Sequence, residues 1–322
     1  MLIHDVSSQS QDFYFLRGTV QSIAGEPLLY TNIGIIDTEI GTLSDQDGSF
    51  QLKTPIKHLD DTLIFSALGY KRHRLKLNEI ENPFRLKIQL KEKDLLMDEV
   101  VVATEKRKQH EVRIGNGRSF LLHGNLEIDS LYAGAAYAML IHKEAYPQMD
   151  FIHGAYLRIA KNMMPSFTVR MRILAVDSLN HNKPGEDLIQ DQLVVASEME
   201  KGWLYFPVPQ TYELKANAFY LTFEWILSQK ERKQIGETYR QFMERFPEKV
   251  KIDTVMVEGE PIITQFISTL LTGTIFGTTT QTKDRERFPT YSRKNSFGEW
   301  KRSGSTLSAL IDLANYPKSE SK

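Results

Sequence analysis

The chain has 322 residues, with 40 basic against 41 acidic side chains and no cysteine. That length is enough for two ordinary domains with separate cores. The balanced charge gives no strong field toward nucleic acid or an anionic membrane, and the missing thiols exclude disulfides, a cysteine nucleophile and Cys-type zinc sites.

Met1 to Gln11 holds neither a basic stretch nor an apolar run of signal-peptide length. Taken literally, the sequence carries no export signal. From Arg17-Gly18-Thr19-Val20 onward, short segments alternate with turn residues. A turn is expected at Ala24-Gly25-Glu26-Pro27 and another at Asp45-Gln46-Asp47-Gly48. Between the turns, Phe50 and Leu52 alternate with Gln51 and Lys53. Leu75 and Leu77 alternate with Arg74 and Lys76, and Leu86, Ile88 and Leu90 with Arg85, Lys87 and Gln89. A period of two puts one set of side chains on a buried face and the other in water. Short strands of this kind between turn formers predict an all-β sandwich. Gly69 before Tyr70 predicts a bend that returns the ring to the core.

These residues carry a resemblance. Gly18-x-Val20, Gly25-Glu26-Pro27-Leu28, Gly41-Thr42-x-Ser44-Asp45-x-x-Gly48-x-Phe50, Phe65-Ser66-x-x-Gly69-Tyr70 and Asp98-Glu99-Val100-Val101-Val102 follow in order. Together they resemble the carboxypeptidase regulatory-like domain, a transthyretin-like β-sandwich. The resemblance implies a module over residues 13–102, of a kind found at the N-terminus of TonB-dependent outer-membrane receptors and in other Gram-negative envelope proteins. It implies no catalytic residues in the module. Because such modules usually sit behind an export signal, it also implies a segment upstream of the present Met1.

Residues 103–117 are charged and poor in apolar side chains, and are expected to be a linker. Its cations Lys106, Arg107, Lys108 and Arg113 could contact an anion, but a solvated connector is the stronger reading. A second sandwich is expected over 118–314. Phe151 to Ala160 and Phe167 to Val176 read as strands. In the latter, Phe167, Val169, Met171 and Ile173 alternate with Thr168, Arg170, Arg172 and Leu174. Asp177 to Asp187 is dense in turn formers and is expected to be a loop. Gln192 to Ala196, Gly202 to Val208 and Ala218 to Trp225 read as strands.

The second half is similar to a β-sandwich that follows regulatory-like modules in some envelope proteins. The similarity rests on Tyr156 to Asn162, Arg170 to Val176, Lys183 to Leu188, Gly202-Trp203, Phe223-Glu224-Trp225, Tyr291-Ser292-Arg293 and Ser296 to Trp300. It implies a jelly-roll-like domain and no particular activity. One helix interrupts it. Ile235, Tyr239, Phe242 and Phe246 fall on one helical face, and Pro247 ends the pattern. The helix, about 229–247, is expected to pack on the sandwich edge, with a partner-docking role as the alternative. Pro261 to Gly277 reads as one or two buried strands rather than a spanning helix. Ser303 to Leu313 is expected to close the sheet, and 315–322 to be a polar tail.

The sequence holds few patterns that carry chemistry. None of the eight histidines has Glu three residues downstream, so the ligand pair of a zinc carboxypeptidase is missing. Asp45 and Asp47 start like a calcium loop, but position twelve is Ile56 instead of the required Glu. There is no nucleophile elbow and no phosphate-cradling glycine loop. Glu224 beside Trp225 is the one carboxylate worth inspecting for glycoside hydrolysis, and a structural role is the stronger reading. Trp203, Trp225, Tyr291 and Trp300 could form a sugar platform, against the simpler reading that they fill the core.

The resulting expectation is a two-domain, all-β, non-enzymatic protein without cofactor or metal. It would bind or scaffold at the periplasmic or outer-membrane face, with an envelope protein or a glycan as partner. An exposed sheet edge is one way to dock a partner strand. The alternatives are a carbohydrate-binding accessory and a hydrolase with an unrecognised site.

Overall fold

The computed structural model describes residues 13–93, 108–119, 134–208, 212–257, 260–267 and 273–317. The closing Asp98 to Val102 motif and the linker cations Lys106 and Arg107 lie outside them. The chain is all-β and divides into two compact units. The first comprises Met1–Met97 with Lys294–Glu299, the second Asp98–Arg293 with Trp300–Lys322. Among the described residues, no helix is long and apolar enough to cross a membrane.

Among the described residues the first unit is a sandwich of seven strands: β1 (Phe13–Ser22), β2 (Asn32–Ile35), β3 (Gly41–Leu43), β4 (Ser49–Pro55), β5 (Thr62–Ser66), β6 (His73–Lys76) and β7 (Leu86–Leu90). One sheet runs β4-β1-β7 and the other β3-β2-β5-β6. The period of two dictates the core between them. Leu16, Val20, Phe50, Leu52, Ile88 and Leu90 come from one sheet and Ile33, Ile35, Leu63 and Phe65 from the other. Phe50 and Phe65 meet edge to face at 5.6 Å across the gap. Tyr70 packs against this core after the bend at Gly69, as the sequence predicts. The Asp45–Ser49 turn is tightened by Asp47, whose carboxylate accepts from the Ser49 amide at 2.9 Å.

Residues 294–299 complete this unit from far along the chain. Asn295 is fully buried against β2 and β3, and its amide donates to the Thr38 carbonyl at 3.1 Å. Ser296 donates to the Asn32 side chain at 2.9 Å, and Lys294 pairs with Glu39 at 2.9 Å. The second-sandwich boundaries, 118–314, do not anticipate this. The short polar run Lys294-Asn295-Ser296 has no periodicity to reveal its destination.

The second unit begins earlier than expected. Its strands are β8 (Glu111–Gly115), β9 (Ala136–His142), β10 (Phe151–Asn162), β11 (Phe167–Asp177), β12 (Lys183–Asp187), β13 (Leu193–Ser197), β14 (Gly202–Pro207) and β15 (Ala218–Ile226). Helix α1 (Gln229–Arg245) follows, then β16 (Val250–Val257), β17 (Glu260–Ile267), β18 (Thr274–Phe276), β19 (Thr278–Thr279) and α2 (Thr282–Arg287). The unit closes with β20 (Thr290–Arg293), β21 (Lys301–Arg302), β22 (Thr306–Leu307) and β23 (Ala309–Ala314). β8 lies within the expected linker. Its Val112 and Ile114 turn toward the core while Glu111 and Arg113 face out, so charge masks a strand. Lys183–Asp187, expected as loop, is strand β12, returning against β11 after a short turn.

The first sheet of this unit runs β14-β10-β23-β8, with β18 added to β10. The second runs β12-β11-β15-β9-β20-β21, with β13 added to β11. Successive strands from β8 to β11 alternate between the two sheets, which fills the space between them with side chains from both. Ala155, Leu157, Ile159, Leu204 and Phe206 of the first sheet meet Val169, Met171, Ile173, Phe219, Phe223 and Trp225 of the second. Helix α1 adds Ile235 to this core; Phe246 is half-buried, and the side chains of Tyr239 and Phe242 are outside the described set.

Candidate functional site

Two outward faces of the second unit concentrate its aromatic and charged residues, and they differ in character. On the β14-β10 pair, the register sets Gly154 opposite Pro207, Tyr156 opposite Tyr205 and Arg158 opposite Trp203. Because Ala155, Leu157, Leu204 and Phe206 point inward, these six residues point outward. The Tyr205 ring lies over Gly154. A Cβ at that position would come within 2.6 Å of the ring, so only glycine lets the ring settle there. The Tyr156 and Tyr205 rings are 5.0 Å apart, tilted by 40°. Tyr205 remains 42% exposed.

The row continues across the sheet. The Arg113 guanidinium sits 4.4 Å from the Tyr156 ring centre and donates to the Tyr156 hydroxyl at 3.1 Å. It also forks onto Asp312 at 2.6 and 2.8 Å. The hydrogen bond to Asp312 holds the Arg113 cation above its usual range. Burial, then the neighbouring Tyr156 and Asp312, raise the Tyr205 hydroxyl. At the other end of the row, Arg158 lies 5.8 Å from the centre of the Trp203 ring. Beyond Arg113, Glu111 accepts from the Tyr316 hydroxyl and bonds His153 at 3.0 Å. The Tyr316 bond comes first in holding its carboxyl below the ordinary range.

The opposite sheet hides its charges. Arg170 and Glu224 are cross-strand partners, and Arg172 forks onto Asp187 at 2.8 and 2.7 Å. Arg293 stacks on Trp300 with its guanidinium carbon 4.4 Å from the ring centre. Burial and the Arg172 cation push the Arg293 guanidinium down to about 9, so it stays cationic at neutral pH. Its Nε and Nη2 atoms have no partner among the described residues. Ala136, Ala138, Leu174 and Tyr220 form a small apolar cluster with Trp300 beside these charges. The alternation in β11 therefore does not place Arg170 in water, as a period of two suggests. The charged phase of β11 is largely closed to water as well, with Arg170 paired to Glu224 and Arg172 to Asp187. Glu224 is fully buried beneath arginines and offers a substrate no access.

The four aromatics named as a sugar platform do not converge. Trp225 is 3% exposed and lies between the sheets. Trp300, 8% exposed, and the half-buried Tyr291 belong to the cluster on the far side of the β11-β15 sheet. Trp203 alone of the four lies on the exposed face of the β14-β10 pair, half-buried. The residues that join it there are Tyr205, Tyr156 and Arg158. The sequence does hold a signal for them: in β10 and β14, aromatics occupy the phase that polar residues take elsewhere. Among the linker cations, Arg113 is committed to Asp312 and Lys108 is exposed.

Among the described residues no cluster of His, Asp and Glu could hold a metal ion. A depression of about 490 Å3 on the first unit, lined by Ile36, Ile64, Arg74 and Glu79 among others, is open and shallow.

Comparison with known proteins accords with this architecture. Residues 16–102 match the CarboxypepD_reg-like domain family. Over 87 residues, 27% of this chain, the sequence is 31% identical to the TonB-dependent receptor SusC of Bacteroides thetaiotaomicron. The chain spans 8% of that receptor's length.

Proposed function

We propose that this chain is a non-enzymatic binding protein of the cell envelope that takes a glycan on the outward face of the β14-β10 pair. The observation that carries the reading is the Tyr205 ring, exposed yet preset by Gly154 beneath it and Tyr156 beside it. An aromatic ring left in water gives up the burial that usually makes it worth encoding. A flat ring fixed in one orientation suits the apolar face of a pyranose and loses little side-chain freedom on contact. Envelope placement is supported by the likeness of residues 16–102 to part of a TonB-dependent receptor.

The test is affinity electrophoresis of the full chain through gels containing a panel of polysaccharides. At least one should retard the wild-type chain, and Tyr205→Ala should lose most of that retardation while keeping its unfolding midpoint. No retardation by any member, or retardation unchanged in Tyr205→Ala, overturns the glycan reading. Recovery of the native protein only from the cytoplasmic fraction of its cells overturns the envelope reading.

A further inference from the structure

We infer that the glycan taken by this face carries carboxylate groups, with Arg158 as the residue that selects them. The inference rests on the binding face proposed above and adds the ligand's charge. On that face two guanidiniums border the aromatic row, and they are differently employed. Arg113 is neutralised by both oxygens of Asp312. The Arg158 guanidinium makes no hydrogen bond or ion pair among the described residues, although it lies on the same face beside Trp203.

Arg158 is also not a loose surface side chain. Its stem lies against Gly277, where a Cβ would come within 2.6 Å of the Arg158 Cγ. Its backbone is fixed on both sides: the amide donates to the Ser308 carbonyl at 2.9 Å, and the carbonyl accepts from Gly277 at 2.6 Å. The guanidinium is thus held near Trp203, within one residue pair of Tyr205. Successive outward residues on a strand are about 7 Å apart, so ring and cation fall within the span of a short oligosaccharide.

A uronic acid offers what this arrangement lacks. Its ring has an apolar face for Tyr205 and Trp203, and its carboxylate can accept the paired N–H groups of a guanidinium. A neutral sugar would use the rings and leave Arg158 idle. A phosphorylated membrane surface would be met by cations clustered on one another, whereas here the half-buried Arg158 guanidinium stands beside Trp203 and next to the tyrosine pair.

The experiment measures binding of the full chain by titration calorimetry. The probes are oligogalacturonate, oligoalginate and hyaluronan fragments, each beside its carboxyl-reduced counterpart. At least one acidic probe should bind about tenfold more tightly than its reduced form, as one charge-assisted contact gives, and added salt should shrink that preference. Arg158→Gln should abolish the preference and Arg158→Lys retain part of it, both with wild-type unfolding midpoints. If acidic and reduced forms bind alike but Tyr205→Ala still abolishes binding, this inference fails and the glycan face stands. If the preference survives Arg158→Gln, the assignment to Arg158 fails. If no probe in either form binds and the polysaccharide gels also show no retardation, both readings fall.

Discussion

Arg170 donates through Nε at 2.9 Å and Nη2 at 2.6 Å to a single oxygen of Glu224, its direct cross-strand partner, with both side chains essentially closed to solvent. Arg172 reaches the same oxygen at 3.5 Å. Removing one member of such a buried pair strands the other charge where water cannot reach it.

Glu224→Ala is therefore expected to destabilise the second unit by about 3–5 kcal/mol. The double variant Arg170→Met/Glu224→Leu should cost clearly less than the single one, because Arg170 is no longer left as an unpaired buried cation. Urea unfolding followed by tryptophan fluorescence reports this directly, since Trp203, Trp225 and Trp300 all belong to that unit. A single variant as stable as wild type would refute the buried pair.

Asn295 donates to Thr38 and accepts from the amides of Phe297 at 2.9 Å and Gly298 at 2.7 Å. Asn295→Ala should lose about 1–3 kcal/mol in the first unit, the cost of leaving buried polar groups unmet. Amide hydrogen exchange should quicken around residues 33–41 and stay unchanged in β10 and β23. Equal acceleration throughout the chain would contradict the assignment of this segment to the first unit.

Ser228 and Glu231 form a reciprocal cap on α1. The Ser228 amide donates to the Glu231 carboxylate at 2.8 Å, and the Glu231 amide to the Ser228 hydroxyl at 3.2 Å. Ser228→Ala is expected to cost about 1 kcal/mol, and Ser228→Asp much less. Thermal unfolding of the three proteins distinguishes the cap from a bystander serine, for which all three midpoints would agree.

Tyr220 gives an alkaline signature. It is buried and donates to the Asn182 carbonyl at 2.5 Å. Burial, then the nearby Tyr291, raises its hydroxyl pKa. A folded-state pKa above the unfolded value of about 10 means that the contribution is complete below that pH and lost as pH rises beyond it. Tyr220→Phe should be about 1 kcal/mol less stable near neutrality, with the two stability curves converging above roughly pH 10. Parallel curves across that range would show that Tyr220 does not titrate with folding.

The β architecture was legible because alternation is a local signal. Phe50, Leu52, Phe167, Val169, Met171 and Ile173 needed no partner to reveal their phase, and all are buried. The faces away from the cores were harder to read. Arg170 in β11 and Arg158 in β10 both sit at the polar phase of an alternating strand, yet one is sealed in an ion pair and the other is half-buried with no ion pair among the described residues. Nothing in the strand itself distinguishes them, because the difference lies in Glu224, some fifty residues away. The aromatic row was similarly split, with Tyr156 on one strand and Trp203 and Tyr205 on another, joined only by register. The helix cap was legible from Ser228-x-x-Glu231 alone, and the expectation built on Pro247 and the apolar face overlooked it.

Residues 294–299 also bear on how the protein is made. The first unit leaves the ribosome ahead of the second, yet its last piece is translated roughly 200 residues after Lys93. Until then the nascent module waits with β2 and β3 uncapped, a period when chaperones or proteases can find it. A gene fragment cut after Lys93 would yield the same unfinished state permanently. Supplying the hexapeptide from Lys294 to Glu299, fused or in trans, is the natural repair.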